Sequence, residues 1–459
     1  MVDKKTKKYI TIFNLLLVGV FLLTAGFGCK ITSNEVKDHL KPITLEYWRV
    51  WDDNDAFEEV ISAYRAIHPN ITIKYRKFRY EEYEKELIEA LAEDRGPDIF
   101  SIHESWVTGY IPKIEPMPAS ITMAYQKVTG TIKKEVVSDL RKVKTPSLRD
   151  IKNRFVDTVY SDTVIDEQVY GLPLSMDTLI MLYNRDLLNR SGVSQPPTSW
   201  LDFQKATQSI TKFNSNGDIL QSGTALGTAR NIERNFDIVS VLMMQGGARM
   251  TDNYSLKMFD EIEKGYNPGL TAINFYLDFA NPIKNVYSWN DDMNNSLENF
   301  MAGKVGMIFG YNYHLPTIKA KAPRLNMAIA PIPQINPGNP VNYSNYWLES
   351  VSKRSKHTPE AWDFIIFITK AEQAKKYLAI TNRPTALKSL IDEQKENDEL
   401  YVSADQLLTA KNWYLGNDSS VAEESFNVLI EQLPDAVRGQ DFKTAIQTAT
   451  GKIYQTMTR

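Results

Sequence analysis

The side chains best suited to ligand chemistry follow extended segments of the sequence, and they combine aromatic rings with polar groups. Trp51 and Asp52 come directly after an alternating, strand-like segment, and His103 and Glu104 end another one, shortly before Trp106. An indole ring can stack on the apolar face of a sugar, while carboxylate and imidazole groups hydrogen-bond hydroxyls. These residue types predict contacts with a small polar ligand. For Asp52, capping of a turn is an equally good explanation.

Further aromatic and polar candidates lie in loop-like stretches of the chain. Arg and Asn side chains offer planar arrays of donors that suit hydroxyls or a carboxylate, but they also anchor loops. Taken together, the loop aromatics favour an aromatic-lined cleft, with burial in the core as the alternative for each ring. The polar candidates in this second group are Asp177, Arg230 and Asn231, and its loop aromatics are Tyr311, Tyr313, Tyr346, Trp347, Trp413 and Tyr414.

Patterns typical of catalysis or metal binding are missing from the sequence. It contains no G-x-S-x-G, no H-E-x-x-H and no P-loop glycine run. Its five histidines lack ligand spacing and its one cysteine is Cys29, so we expect no metal site, no cofactor and no cysteine nucleophile. We therefore predict a binding protein rather than an enzyme. The main alternative is a glycoside hydrolase in which Glu104 and Asp177 face each other as paired carboxylates.

The bulk composition is that of a globular protein of two or three domains. The chain has 459 residues, of which 43% are hydrophobic and 24% charged, with a net charge of −3. An acidic chain of this kind is a poor nucleic-acid binder, so we expect no nucleic-acid partner. The one basic stretch, from Ser120 to Arg154, is interpreted as a solvated helical insert, with a partner surface as the alternative.

The N-terminus has the layout of a secretory signal. Positive charges from Lys4 to Lys8 precede an apolar run from Ile10 to Leu23 that is too short to span a membrane, and Cys29 follows. This arrangement resembles a bacterial lipoprotein cleavage site, although Gly26 and Phe27 depart from the usual pattern. We predict a signal peptide over 1–28, lipidation of Cys29, a tether over 29–42, and anchoring to the outer face of the cell membrane. The alternatives are an uncleaved signal anchor and plain secretion.

Strands and helices alternate in the first hundred residues after this leader. Ile43–Trp48, Ile71–Tyr75 and Asp98–Ile102 are predicted strands. A capping box at Asp55 and the spacing of apolar residues predict a helix between each pair of strands. A strand–helix–strand series of this kind predicts a parallel sheet with helices on its faces.

Several segments together resemble one family. They are Thr44–Trp48, Gly96-Pro97-Asp98-Ile99-Phe100, Tyr170-Gly171-Leu172-Pro173-Leu174, Pro197-Thr198-Ser199-Trp200 and Phe300–Met307. In this order, they resemble the extracellular solute-binding proteins of ABC importers, of the maltose/maltodextrin-binding type. The resemblance runs from about Ile43 to Tyr454.

The resemblance implies an α/β fold of two lobes, each a mainly parallel sheet flanked by helices, with a hinge and a cleft between them. We expect lobe 1 to comprise 43–172 plus 304–345, and lobe 2 to comprise 173–303 plus 346–459. The chain would cross between lobes at 172–175, near 303–308 and at 343–348. Ligands bind at the carboxyl ends of strands in open α/β sheets, which places the candidates above at or near the cleft.

The resemblance also implies a function. We expect a monomeric protein that captures a sugar or oligosaccharide by hinge closure and delivers it to ABC permease subunits. A receptor that presents its closed state to a membrane signalling protein is the alternative, since no sequence feature separates transport from sensing.

Overall fold

The computed structural model describes residues 34–129, 135–252, 255–257, 266–436 and 442–457. The predicted signal peptide, Cys29 and the start of the tether lie outside the described residues. Within them, no helix is long and apolar enough to cross a membrane.

The described strands form two main sheets and several smaller ones. In chain order the strands are β1 (Ile43–Val50), β2 (Ile71–Phe78), β3 (Ile99–His103), β4 (Ser120–Thr129), β5 (Glu135–Lys144), β6 (Val164–Ile165), β7 (Gln168–Val169), β8 (Leu172–Pro173), β9 (Asp177–Thr178), β10 (Ile180–Asn184), β11 (Lys212–Phe213), β12 (Ile219–Thr224), β13 (Thr251–Asp252), β14 (Ser255–Leu256), β15 (Val305–Gly310), β16 (Met327–Ala330), β17 (Asn342–Asn345), β18 (Trp347–Val351) and β19 (Ala410–Lys411).

The described helices cover the faces of these sheets. They are Asn34–His39, Asp55–Ile67, Tyr80–Ala92, Val107–Tyr110, Leu148–Arg154, Asp157–Thr163, Arg185–Arg190, Trp200–Ile210, Asn235–Gln245, Pro268–Leu277, Ser296–Met301, Leu315–Lys321, Thr358–Ile368, Ala371–Thr381, Ile391–Gln394, Tyr401–Gln406, Ser419–Ala436 and Phe442–Met457. Some of these helices begin at a side-chain cap: Ser199, for example, accepts a hydrogen bond from the Asp202 amide. The helix Asp55–Ile67 does not, since its N-cap is Asn54 and no side chain caps it, so the predicted capping box at Asp55 is absent.

The first sheet, in lobe 1, has the strand order β2-β1-β3-β18-β8. β1 runs parallel to both β2 and β3, as the strand–helix–strand pattern predicts. β18, from late in the chain, joins β3 in antiparallel fashion. The helix Asp55–Ile67 packs on this sheet because its apolar residues recur on one face, where Phe57, Val60 and Tyr64 are buried.

The second sheet, in lobe 2, has the order β11-β12-β15-β10-β16. Only the β12–β15 pair is parallel, while β10 is antiparallel to both of its neighbours. The two-lobed α/β fold is as predicted, but this sheet is mixed rather than mainly parallel. Each lobe has its own core: one is built on the first sheet and its helices, the other on the second sheet and the C-terminal helices.

The structure assigns the later segments to lobes differently from the sequence-based boundaries. Residues 304–345, expected in lobe 1, form β15 and β16 of the second sheet, whereas β18 and the helices over 358–381 belong to lobe 1. The expected crossing near 303–308 is therefore an internal strand of lobe 2. Hydrogen-bond partners decide which sheet a strand joins, and a sequence does not state them.

Three short strands connect the lobes at the hinge. β9 pairs with β17 in antiparallel fashion and β17 pairs with β19 in parallel, which gives the order β19-β17-β9. The chain thus passes between lobes just after β8, just before β18, and again in the region that leads to β19. Two of these crossings coincide with the expected ones at 172–175 and 343–348.

The basic stretch from Ser120 to Arg154 is not the predicted helical insert. Most of it forms the antiparallel hairpin β4–β5, and only Leu148–Arg154 is helical. On β4, Ile121 and Met123 are two residues apart and both belong to the core of lobe 1, whereas Thr122 between them is only partly buried. Numerous lysines made this segment resemble a helix, but the burial of alternate residues against lobe 1 determines its structure.

A network of buried charged side chains lies on the cleft side of lobe 1. Arg49 lies 3.3 Å from a carboxylate oxygen of both Asp52 and Glu349, and Asp52 lies 2.9 Å from Arg383. Glu349 also accepts a 2.7 Å hydrogen bond from Ser101. Glu349 is fully buried and Arg49 is only 4% exposed, so each charge depends on the others for compensation.

We expect Glu349→Gln to lower the free energy of unfolding by roughly 3 kcal/mol, because it leaves one buried positive charge uncompensated. The measurement is urea denaturation. The control is Glu46→Gln, which removes the 2.8 Å partner of the exposed Lys74 and should cost less than about 1 kcal/mol. Equal losses in the two variants would contradict a stabilising role for the buried network.

Candidate functional site: the interlobe cleft

A cleft of about 540 Å³ lies between the two lobes, next to the hinge. This volume is in the usual range for sites that bury a small molecule. Lobe 1 contributes Arg49, Trp51, Asp52, Tyr80, His103, Tyr346, Trp347, Arg383 and Pro384; the hinge contributes Ser175, Asp177 and Asn345; and lobe 2 contributes Glu233, Arg234, Leu297, Tyr313, His314 and Thr317.

The two lobes come into close contact at one side of the hinge region. A β-carbon built on Gly109 of lobe 1 would lie 2.3 Å from the backbone oxygen of Asn417 in lobe 2. Only glycine allows this approach, since any side chain would push the lobes apart. The structure therefore represents an arrangement in which the lobes touch at this point.

Aromatic rings form the lobe 1 wall of the cleft. Trp347 opens β18 directly opposite His103 of β3, and its ring meets Trp106 edge to face at 5.2 Å. Trp51 stacks on Tyr80 at 5.2 Å. Because the surrounding rings fix Trp347 on two sides, its remaining surface is a rigid apolar face toward the cleft.

Trp51 has an unusual backbone conformation. Its φ of 76° lies in the left-handed region, which is strained for a bulky residue and costs of order 1–3 kcal/mol. This conformation leaves the indole 48% exposed at the cleft rather than packed in the core. Backbone strain at this position is the kind of feature that clusters at ligand sites.

Asp52 lines the cleft, but its carboxylate is already engaged. It accepts hydrogen bonds from Tyr377 at 2.9 Å and from Arg383 at 3.1 Å, besides its ion pair with Arg49. Burial would raise the pKa of Asp52, but the two guanidinium groups outweigh burial and leave it below the usual value. Asp52 therefore holds Arg383 at the cleft wall.

His103 and Glu104 form a local pair at the end of β3. His103 Nδ1 lies 2.7 Å from Glu104 and 2.8 Å from the Ser105 hydroxyl. Burial would lower the pKa of His103, but the Glu104 carboxylate raises it above the usual value. His103 lines the cleft, whereas Glu104 lies on a second groove and acts on the cleft through His103.

Asp177 is a buried hinge carboxylate. It accepts hydrogen bonds from the Thr178 amide at 2.9 Å, from Asn312 at 3.2 Å and from Ser403 at 3.3 Å. Burial raises the pKa of Asp177 to about 7 despite these donors. Asp177 and Glu104 line different cavities, so the structure does not bring them together as the paired carboxylates that the hydrolase alternative requires.

Arg230 and Asn231 are not cleft residues. Arg230 is exposed on lobe 2 and pairs with Glu424 at 2.8 Å and Glu431 at 2.7 Å. Asn231 donates hydrogen bonds to the backbone oxygens of Asn290 and Met293 and anchors its loop. The loop-anchoring alternative describes Asn231, and neither Arg230 nor Asn231 lines the cleft.

Three predicted aromatic contacts are structural, and one borders the cleft. Tyr311 is fully buried and donates to Asp237 at 2.7 Å, while Trp413 is 9% exposed, packs on lobe 2 and donates to Ser240 at 3.1 Å. Trp106 supports Trp347 and is not a lining residue. Tyr346 borders the cleft but is only 3% exposed, with its hydroxyl donating to Asp162 at 2.6 Å.

Lobe 2 supplies cleft residues that the sequence-based candidates missed. Arg234 has a left-handed φ of 59°, pairs with Asp237 at 2.6 Å and lies over the Tyr311 ring at 5.5 Å. Tyr313 stacks on Tyr311 at 5.4 Å and is 39% exposed, so it is the ring of this aromatic stretch that reaches the cleft. Of the two, Tyr313 was among the loop aromatics of the sequence, whereas Arg234 was not a candidate. No feature of the sequence indicated Arg383, which lines the cleft and is held there by Asp52.

A second groove of about 520 Å³ also lies between the lobes. Its lining includes Glu104, Asp162, Lys411, Asn412, Trp413 and Tyr414, so the predicted Trp413 borders this groove and not the cleft. Burial raises the pKa of Asp162 to about 7, although Tyr346 and Asn412 donate to its carboxylate. Across the described residues, no group of three or more His, Cys, Asp or Glu side chains is arranged to hold a metal ion in either cavity.

Comparisons with known proteins agree with this architecture. The family model of the bacterial extracellular solute-binding proteins matches residues 59–408. A galactooligosaccharide-binding protein of Bacillus subtilis is 20% identical over 404 residues, which are 85% of this chain and 83% of that protein.

Solved structures with the same fold include two sugar-binding proteins. The sugar-binding protein MalE of Xanthomonas citri superposes with a TM-score of 0.69 at 17% identity, covering 90% of this chain and 97% of its own. The cyclic α-maltosyl-1,6-maltose binding protein of Arthrobacter globiformis gives a TM-score of 0.69 at 18% identity, covering 91% and 99%. The predicted fold is thus confirmed, and the chain belongs to the family of bacterial extracellular solute-binding proteins.

Proposed function

We propose that this protein captures a sugar or oligosaccharide in the interlobe cleft and delivers it, without chemical change, to the permease subunits of an ABC importer. The observation that carries the proposal is the pairing of surfaces across the cleft. Trp347 and Trp51 present ring faces from lobe 1, while Arg234, Glu233 and His314 present polar groups from lobe 2. Sugars have both C–H faces and hydroxyls, and therefore need both kinds of surface.

Hinge closure follows from the way the site is divided. Each lobe holds only part of the lining, so a ligand reaches all of its contacts only when the lobes are together. A ligand that binds the closed state better shifts the population toward closure. The closed protein, acting as a monomer, would then be the form that docks on the permease.

The relatives support a carbohydrate ligand. Among them are the galactooligosaccharide-binding protein and a multiple sugar-binding protein of Streptococcus mutans, which is 25% identical over 256 residues. A sensing receptor would use the same cleft, and no feature of the site favours sensing over transport. Export agrees with the extracellular family, and lipidation of Cys29 would keep the protein at the outer face of the membrane.

A thermal-shift screen against mono- and oligosaccharides tests the proposal. A sugar present at 100 times its Kd should add about 2.7 kcal/mol to the free energy of unfolding and raise the melting temperature. Chromatography should recover that sugar unchanged after prolonged incubation. Release of shortened products, or the absence of any shift across the panel, would refute sugar capture without catalysis.

Substitution of the tryptophans tests the cleft assignment. We expect Trp347→Ala and Trp51→Ala each to weaken sugar binding by roughly 1–3 kcal/mol, because each removes an exposed ring face. Trp413→Ala is the matched control: it should cost roughly 3–5 kcal/mol of stability and leave the Kd of the folded fraction unchanged, since that ring packs in lobe 2. Calorimetric titration and urea denaturation measure the two quantities. An unaltered Kd for Trp347→Ala would show that the ring does not touch the ligand.

Replacement of the one cysteine tests the anchor. Cys29→Ser should abolish lipid attachment, so that a high-salt wash releases the chain into the soluble fraction after cell fractionation, and mass spectrometry should detect no acyl chains. The sugar-induced thermal shift should persist, because both cores lie after residue 42. A Cys29→Ser chain that has lost its leader and still sediments with membranes after the high-salt wash would contradict anchoring through this residue.

A further inference from the structure

We propose that the β4–β5 hairpin and the helix that follows it form a basic surface that contacts anionic lipid headgroups and orients lobe 1 on the membrane. This inference builds on the anchor of the proposed function and extends it to a second contact with the same membrane. We define the basic surface by three residues of this region, Lys142, Lys144 and Arg149.

The charge of this segment is opposite to that of the rest of the chain. Residues 120–154 contain nine Lys or Arg and three Asp or Glu, a net charge of +6, in a chain whose net charge is −3. The other residues together therefore carry −9. Neither the cleft nor the hinge uses this concentration of positive charge, since none of the residues lining the cleft falls within 120–154.

The basic side chains are free to meet a partner. Lys142, Lys144 and Arg149 are all exposed, and in the part of the chain that the structure describes none of the three forms a salt bridge. Lys142 and Lys144 are two residues apart on β5 and so share one face of the hairpin. Arg141, on the other face, is paired with Asp139 at 2.9 Å.

The position of the hairpin in the chain places it beside the anchor. The helix Asn34–His39 packs against both β4 and β5. Asn70 of lobe 1 holds the end of this helix and the residues that follow it, because its side chain donates hydrogen bonds to the backbone oxygens of His39 at 3.1 Å and Lys41 at 3.2 Å. Cys29 lies only five positions before Asn34, and a fully extended chain of that length spans at most roughly 18 Å.

The unpaired positive charges and the closeness of the hairpin to Cys29 together point to a lipid surface as the partner of the basic surface. A lipid on Cys29 would hold the helix Asn34–His39, and with it the hairpin, close to the headgroups. Each Lys or Arg near an anionic surface strengthens attachment by about 1 kcal/mol, or roughly fivefold. A diacylated Cys29 would by itself keep the protein at the membrane, so the role of the basic surface is orientation. It turns one side of lobe 1 toward the membrane and thereby sets the direction in which the cleft opens relative to the membrane.

The test uses the chain from Lys30 to Arg459 without lipid, which retains every described element. It is sedimented with vesicles of equimolar phosphatidylglycerol and phosphatidylcholine, or of phosphatidylcholine alone, at low and physiological salt. We expect salt-sensitive binding to the anionic vesicles only. Lys142→Gln/Lys144→Gln/Arg149→Gln should reduce the partition coefficient roughly 100-fold.

The matched control is Lys212→Gln/Lys304→Gln/Arg324→Gln, which removes the same charge from exposed positions of lobe 2. It should leave vesicle binding almost unchanged. An equal loss in both triple variants, undiminished binding of the hairpin variant, or no preference for anionic lipid would each overturn the proposal. If the basic surface instead contacts the permease, the chain should show no preference for anionic lipid.

Failure here is separable from failure of the proposed function. The sugar-induced thermal shift, measured on the same variants, reports the cleft alone, and the hairpin variant should retain it in full. The vesicle assay contains no lipidated protein, so its outcome does not depend on whether Cys29 is processed.

Discussion

The hinge is the constraint on which the rest of this structure depends. Two lobes with separate hydrophobic cores are joined by three short strands, β9, β17 and β19, whose polar groups lie in buried surroundings. Asp177 at this junction draws hydrogen bonds from its own strand, from the segment after β15 and from the helix Tyr401–Gln406. A buried carboxylate with several donors specifies one arrangement of the segments that meet there, because each broken hydrogen bond would leave an unpaired group.

The cleft is built outward from this junction by buried charges. On lobe 1, Arg49, Asp52, Arg383 and Glu349 neutralise one another beside and behind the rings of the wall. On lobe 2, Asp237 holds Arg234 against Tyr311, and Tyr311 in turn supports Tyr313. Both walls are thus rigid before a ligand arrives, and this lowers the entropy that binding must overcome.

Because buried residues support the lining residues, several candidate residues contact a lining side chain and do not line the cleft themselves. Glu104 acts through His103, Trp106 through Trp347, and Tyr311 through Tyr313. Glu104 and Tyr311 lie close in sequence to the lining residue that they support, whereas Trp106 meets Trp347 through a ring contact. Residue type and position near a strand end indicated the right region, but side-chain direction decided which member of each pair faces the cleft.

The sequence by itself determined the family, the two-lobed α/β class, the strand–helix alternation over 43–103 and the place of Trp51, His103 and Trp347 beside strand ends. Such features depend on local periodicity, capping and the order of motifs, all of which are written along the chain. Tertiary structure alone decided that β15 belongs to lobe 2 and β18 to lobe 1, that Trp413 packs in a core, and that Arg383 meets Asp52 from 331 positions away. The physical reason is that strand pairing, ring burial and charge compensation are settled between distant segments, where a local pattern contains no record of the partner.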